Sequence, residues 1–333
     1  MPLNNGNEKN RKASRLGGAL LLLLAAMIWG TTFAAQSEGA DKLSAFAFNG
    51  IRMAIGAAVL SLFLLTRALP GAISRRRNGI GRTPADEEAR KAKTLLTLRG
   101  GALIGLALFG ASTAQQFAFN YTGAGKIAFI TALYMFFVPL IGLFWGKRVP
   151  LVTWISVLIG FAGLYFLTID PSEPLAVNRG DALAFLCAVI YSFHILLVEK
   201  YAAFADGAEL SVVQFTVCGI LSAVMMAFDG FPTAPAVLSA WKELLWAGVM
   251  SCGVAFTLQV VGQKRAEATA ASLMMCMESV FGVLSAAVLL GDRMTGREIL
   301  GCTVMFFAIV LSQIGEKLVD ALGFGRGRRA GNS

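Results

Sequence analysis

Charge is scarce in this sequence. Asp, Glu, Lys and Arg supply 15% of its 333 residues, against about 25% in a soluble globular chain. With 56% hydrophobic residues there is too little polar side chain to cover a soluble fold of this size. The same hydrophobicity excludes intrinsic disorder. Histidine is nearly absent: His194 is the only one, so no histidine-ligated metal site can be built. The five cysteines, Cys187, Cys218, Cys252, Cys276 and Cys302, lie inside apolar runs with no CxxC or metal-ligand spacing, the pattern of buried packing thiols. No metal and no cofactor are expected. GxxxxGK[ST] is missing, which excludes an ATP-driven pump within this chain, and HExxH and GxSxG are missing too, so the chain is not expected to be an enzyme. A TVGYG-type filter is also lacking, which argues against a channel.

What the sequence has in abundance is long apolar stretches. Crossing the hydrocarbon of a bilayer takes about 20 mostly apolar residues in a helix. Ten segments qualify: 16–36, 44–66, 98–119, 125–145, 151–169, 180–199, 210–228, 241–261, 269–290 and 296–316. The short alternating strands of a membrane barrel are not seen. The expected fold is an all-α integral membrane protein of ten transmembrane helices. The first run follows a polar, basic tail, residues 1–15, and exceeds the h-region of a cleaved signal, so it is read as a retained helix.

The net charge of +9 raises the question of nucleic acid, which needs a basic face on a soluble fold. Its distribution answers otherwise. Of the 29 Lys and Arg, 22 fall in segments on the N-terminal side of the helices, 6 fall on the opposite side, and Arg52 lies within a helix. That bias follows the positive-inside rule, placing the N-terminus and the tail 317–333 in the cytoplasm. Loop 67–97, with Arg75-Arg76-Arg77 and Asp86-Glu87-Glu88, is expected to be disordered and to touch anionic lipid. The partners expected are the bilayer, a small-molecule solute and, as an open alternative, a second copy of the chain.

The chain also repeats itself. LYMFFVPLIGLFWGKR (133–148) matches ESVFGVLSAAVLLGDR (278–293), GALLLLLAAMIWG (18–30) matches GDALAFLCAVIYS (180–192), and Ser44 aligns with Ser211. The matches keep their order, and the long first-half loop accounts for the drift in offset. The expected halves are 16–169 and 180–316, five helices each. An odd number inserts the second half upside down relative to the first, an arrangement that recurs in secondary transporters with the solute held between the halves near the midplane.

Ionisable residues inside a membrane are costly, about 2.5–3.5 kcal/mol each on insertion scales. Arg52 in the second helix and Glu278 in the ninth both fall near mid-membrane. They form either a charged pair or two walls of a polar cavity for a zwitterionic or anionic solute; the bland alternative is a static pair that orders the bundle. Glu278 is a candidate for proton coupling, because burial disfavours the charged form of a carboxyl. His194 is a candidate relay or a satisfied packing residue. Trp29, Tyr134 and Tyr191, with Gln115, Gln116, Gln214 and Gln259, either line a solute pathway or pack and bond between helices. Pro139 removes a backbone bond from the fourth helix and is expected to kink it, as a hinge or a passive bend. Gly30, Gly105, Gly110, Gly160 and Gly163 suit close helix contacts.

AAMIWGTTF (25–33), FNGIRMAIGA (48–57), FNYTGAGKIAFI (119–130), ESVFGVLSAAVLLGDR (278–293) and REILGCTVMFFAIVL (297–311) together resemble the EamA-type ten-helix members of the drug/metabolite transporter superfamily, over about residues 16–316. The resemblance implies a secondary carrier in a bacterial inner membrane, often an exporter of metabolites, amino acids or drugs. It also implies Gly-Glu at the ends of the fourth and ninth helices, where this chain has Gly146-Lys147 and Gly291-Asp292, and Glu-Pro where it has Glu278-Ser279. The expected function is alternating-access transport of a small organic solute through a cavity lined by Trp29, Arg52, Tyr134, Tyr191, His194 and Glu278. The rival is a membrane sensor or scaffold that moves nothing.

Overall fold

A computed structural model describes residues 5–77, 83–169, 177–289 and 294–321. Every regular element among them is helical. In chain order these are α1 (Asn5–Ala40), α2 (Ala45–Arg77), α3 (Pro84–Ala118), α4 in two pieces (Ala124–Thr131 and Tyr134–Phe144), α5 (Leu151–Thr168), α6 (Arg179–Ala202) and α7 (Gly207–Asp229). A short surface helix, Ala234–Ser239, precedes α8, which spans Trp241–Gln263. Then come α9 in two pieces (Ala268–Met275 and Met277–Leu289) and α10 (Gly296–Ala321). Among the described residues nine helices, α1 to α9, are long and apolar enough to cross a membrane. The segment expected as the tenth span is helical as α10 and lies along α5.

The burial pattern is that of a chain dissolved in lipid. Leu20, Leu24, Leu62, Phe63, Leu106, Leu158, Ile220 and Phe306 face outwards, while Thr32, Gln36, Asn49, Arg52, Ser112, Gln115, Gln116, Gln214 and Gln259 are buried. In water such an apolar exterior would be an aggregation surface. In hydrocarbon it costs nothing, and the helices satisfy their own backbone groups. Helix association must then come from close packing and interhelical hydrogen bonds, and glycine supplies the closeness. A Cβ on Gly163 of α5 would lie 2.8 Å from the Met305 backbone nitrogen of α10, and one on Gly301 would lie 2.7 Å from the Gly163 carbonyl oxygen. Gly30 of α1 meets α9 in the same way, 2.6 Å from the Glu278 carbonyl oxygen and 2.7 Å from the Gly282 nitrogen.

One expectation changes. Loop 67–97 is largely helix, because α2 continues to Arg77 and α3 begins at Pro84. The cause lies in the sequence: Thr83 and Asp86 form a reciprocal capping box, Pro84 occupies the first turn, and Asp86 and Glu87 sit at the positive end of the helix. The basic tail is likewise helical from Asn5. Residues 78–82 of the loop, Gly291-Asp292 at the exit of α9 and the tail beyond Ala321 lie outside the described residues.

Helix α8 is unusual. Trp246–Phe256 forms eleven residues of π-helix, where such segments are commonly a single turn. It packs on α1 and α2, and a Cβ on Gly248 would lie 2.7 Å from Ile55 Cβ.

Candidate functional site

Helices α4 and α9 are both interrupted at mid-length. In α4 the ladder tightens at Ala132–Leu133: Leu133 N–H donates to Ile130 O at 3.1 Å, Met135 N–H to Ala132 O at 3.0 Å and Phe136 N–H to Leu133 O at 2.9 Å. In α9 the interruption is at Cys276, with Ser279 N–H donating to Cys276 O at 3.2 Å. The matched segments 133–148 and 278–293 begin next to these interruptions, Leu133 within the first and Glu278 as the second residue of Met277–Leu289. The breaks touch, since the Cys276 thiol donates to Ala132 O at 3.7 Å. Pro139 lies inside the second piece of α4, downstream of the break rather than at it.

The breaks deliver four side chains, Thr131 and Tyr134 from α4 and Met275 and Glu278 from α9, to one central cavity. Helix α1 adds Trp29, Phe33 and Gln36; α2 adds Arg52 and α3 adds Gln115. Tyr191 and Ile195 come from α6, and Ser251, Phe256 and Gln259 from α8. The volume is about 50 Å³, room for a few waters and well below the roughly 300–1,000 Å³ of organic-ligand sites.

Arg52 and Glu278 occupy this one cavity without pairing: among the described residues no carboxylate oxygen lies within 4.0 Å of Arg52. Arg52 Nη1 donates to Gln36 Oε1 at 2.9 Å, and its guanidinium carbon lies 5.5 Å from the Phe48 ring centroid. Gln36 is itself fixed, because its backbone carbonyl accepts from Gln116 Nε2 at 2.9 Å. Glu278 Oε1 accepts a hydrogen bond from the Tyr134 hydroxyl at 3.4 Å. Trp29 packs edge-on against Phe256, centroids 4.9 Å apart, and its buried Nε1–H has no acceptor among the described residues.

Of the residues singled out in the sequence, Trp29, Arg52, Tyr134, Tyr191, Glu278, Gln115 and Gln259 line the cavity. His194 stands behind it. Its ring is edge-on to Tyr191 and Phe256, and Nε2 shares a hydrogen bond with Gln214 Oε1 at 3.1 Å. Gln116 and Gln214 bond between and within helices instead of lining the space. Gln36, Phe33, Ser251 and Phe256 were not singled out. Gln36 sits near the end of α1, where a polar residue reads as interfacial, and Ser251 and Phe256 are carried in by the π-helix, which leaves no compositional mark.

Ion pairs hold the ends of the bundle. On the N-terminal side Lys147, at the end of α4, pairs with Glu199 near the end of α6. The other Glu199 oxygen accepts from Ala268 N–H, the first residue of α9, at 3.0 Å. Glu267, the N-cap of α9, gives that helix no side-chain bond, so Glu199 caps it from a neighbouring helix. The lysine that departs from the Gly-Glu pattern thus has a partner of the complementary sign. On the far side Lys126 pairs with Asp181, and Lys42 with Glu243, both at 2.8 Å. Asp206, between α6 and α7, caps α7 through Ala208 N–H and Glu209 N–H and pairs with Arg67 at 3.1 Å. Partial burial works to raise its carboxyl, but these donors and the Arg67 charge prevail and hold it below the usual aspartate range.

Comparison with known proteins adds a family. The model of the EamA-like transporter family matches residues 16–169 and 178–313. An uncharacterized transporter of Archaeoglobus fulgidus is 28% identical over 300 residues, covering 89% of this chain and 86% of that protein. The uncharacterized transporter YoaV of Bacillus subtilis is 21% identical over 86% of this chain and 93% of its own length. The threonine/homoserine exporter RhtA of Salmonella typhimurium is 26% identical over 54% of this chain and 59% of its own length. A crystal structure matches with a TM-score of 0.67 at 19% identity, covering 91% of this chain and 98% of that one, which shows a shared fold.

Proposed function

The chain belongs to the EamA-like transporter family, and from that premise we propose that this multi-pass membrane protein is a secondary carrier of a small organic solute, working by alternating access. The observation that carries the proposal is the meeting of two interrupted helices, α4 and α9, at a central cavity where, among the described residues, neither Arg52 nor Glu278 has an ion-pair partner. Discontinuous helices at corresponding positions in two halves are a recurring way for secondary transporters to build a solute site.

Several observations support ten spans in two inverted halves. One family model matches the chain twice. The packing also keeps its form when the halves exchange roles: α1 on α9 answers α6 on α4, α2 on α8 answers α7 on α3, and α5 lies on α10. Two such halves can pack in two ways of similar energy, each opening one side. The small cavity, with ion pairs at both ends, suits a contracted state that must expand to take a solute. The 22-to-6 distribution of Lys and Arg supports cytoplasmic termini, in a prokaryotic inner membrane. Export is the preferred direction, and the amino acids named for RhtA are the first solutes to try. Trp29, Arg52, Tyr134, Tyr191 and Glu278 are the proposed solute contacts, with His194 supporting Tyr191 from behind. Glu278, whose hydrogen-bond partner is a tyrosine rather than a cation, is the proposed proton carrier.

Purified protein in liposomes without ATP, assayed with threonine, homoserine and a panel of amino acids and metabolites, tests this. A saturable flux driven by a solute or pH gradient supports it, and no flux for any compound counts against it. A flux that ignores the pH gradient and survives Glu278→Gln removes proton coupling through that residue.

A further inference from the structure

We infer that Arg52 is the seat of a compact monoanion, either a carboxylate on the transported solute or a free inorganic anion. The guanidinium carries five N–H donors and cannot shed its charge. Arg52 is only 2% exposed, yet lies on the cavity wall. Its one hydrogen bond among the described residues goes to a neutral amide oxygen, that of Gln36 at 2.9 Å, and its Nε–H has no acceptor there. Gln36 is held in place by Gln116, so it can orient the guanidinium but not neutralise it. Asn49, one helical turn earlier on α2, is fully buried, and neither of its amide atoms has a partner among the described residues. Glu278, the acidic residue of the cavity, is engaged by Tyr134.

A fixed, buried cation without a counter-charge is among the most expensive arrangements a membrane protein can hold. An anion resting on the cavity face of the guanidinium completes it, and a carboxylate matches the planar fork with two parallel hydrogen bonds. The seat is set apart from Glu278, so a bound solute would carry its negative group towards α2 and turn its remainder to Trp29, Tyr191 and the α9 wall. The carboxylate source rests on the transport reading; the anion seat does not.

The test is thermal unfolding of the purified full chain at pH 7 and constant ionic strength, with isethionate, a sulfonate larger than either test anion and without a carboxylate, replaced stepwise by chloride or by acetate. The wild-type Tm rises saturably, by about 2 °C or more at ten times the midpoint concentration. Arg52→Gln loses that rise, and its Tm in isethionate equals or exceeds that of the wild type. Should Arg52→Gln not fold, Arg52→Lys, which keeps the charge and loses the fork, raises the acetate midpoint about tenfold. An acetate midpoint below that of chloride assigns the seat to the solute's carboxylate, and the reverse order assigns it to an inorganic ion. A response that never saturates, or one that persists in Arg52→Gln, overturns the inference. Because no flux enters the measurement, that failure leaves the carrier reading standing, and absent flux beside a saturable response overturns the carrier reading alone.

Discussion

The contact between α1 and α9 gives a sharp test of how the site is held. Gly30 and Gly282 face each other across it, but not equivalently. A methyl group on Gly30 would sit 2.6 Å from the Glu278 carbonyl oxygen and 2.7 Å from the Gly282 nitrogen, whereas one on Gly282 would sit 3.4 Å from the Gly30 carbonyl oxygen. The first distance is about 0.8 Å short of ordinary carbon–oxygen contact, and the obstructing atoms are backbone, so the helices themselves must separate. Overpacking of that kind costs about 1–3 kcal/mol. The second substitution fits, and with its gain in helix propensity of up to about 1 kcal/mol over glycine it is neutral or stabilising. Gly30→Ala is therefore expected to lower Tm by several degrees, and Gly282→Ala to leave it level or raise it slightly. Gly30→Ala also displaces the backbone that carries Glu278 away from Trp29, so its flux should fall by more than its folded fraction does. Equal Tm changes for the two variants would refute the reasoning that α1 and α9 meet backbone to backbone at Gly30.

Other consequences concern the ends of the bundle and the Glu278 partner. Glu199→Ala removes both the Lys147 ion pair and the borrowed cap of α9, at about 1 kcal/mol for the cap; hydrogen exchange at amides 268–271 should accelerate. At Asp206 the folded carboxyl is held below its unfolded value of about 3.9. Its contribution to stability is therefore fully present above pH 4 and is lost as pH falls through the lowered value. Amide exchange at Ala208 and Glu209 should rise in that window, and Asp206→Asn should abolish the pH dependence there. Tyr134→Phe removes the hydroxyl that bonds Glu278 and should cost less than about 1.5 kcal/mol of stability, while altering the pH profile of flux. An unchanged profile would detach Tyr134 from the proton step.

The long apolar runs announced the helices because in lipid length and composition alone suffice. The repeat pointed to α4 and α9 as a related pair. Their interruption was not readable, since ITALYMF and MMCMESV contain neither glycine nor proline at the break. Pro139 drew attention to the right helix but to a place downstream of the break. The helical form of residues 84–97 was readable in Thr83-Pro84-Ala85-Asp86, a capping box with proline at the first position, but the neighbouring charge runs suggested a solvated loop. Arg52 and Glu278 were legible because charge inside a membrane is conspicuous. Gln36 was not, because its role comes from accepting hydrogen bonds at its side chain and its backbone at once, a matter of tertiary placement. His194 shows the reverse case, a chemically conspicuous residue that folding sets one layer behind the cavity.

Alternating access is the centre of the account, and pulsed EPR distances measure it most directly. One spin-labelled pair, Arg148 with Lys264, reports the N-terminal side, and a second, Tyr121 with Lys242, reports the far side; all four positions are exposed. Releasing the clasp with Glu199→Ala should lengthen the first distance and shorten the second. Distances that stay fixed on both sides, or that lengthen on both together as in an open channel, would contradict a carrier that opens one side at a time.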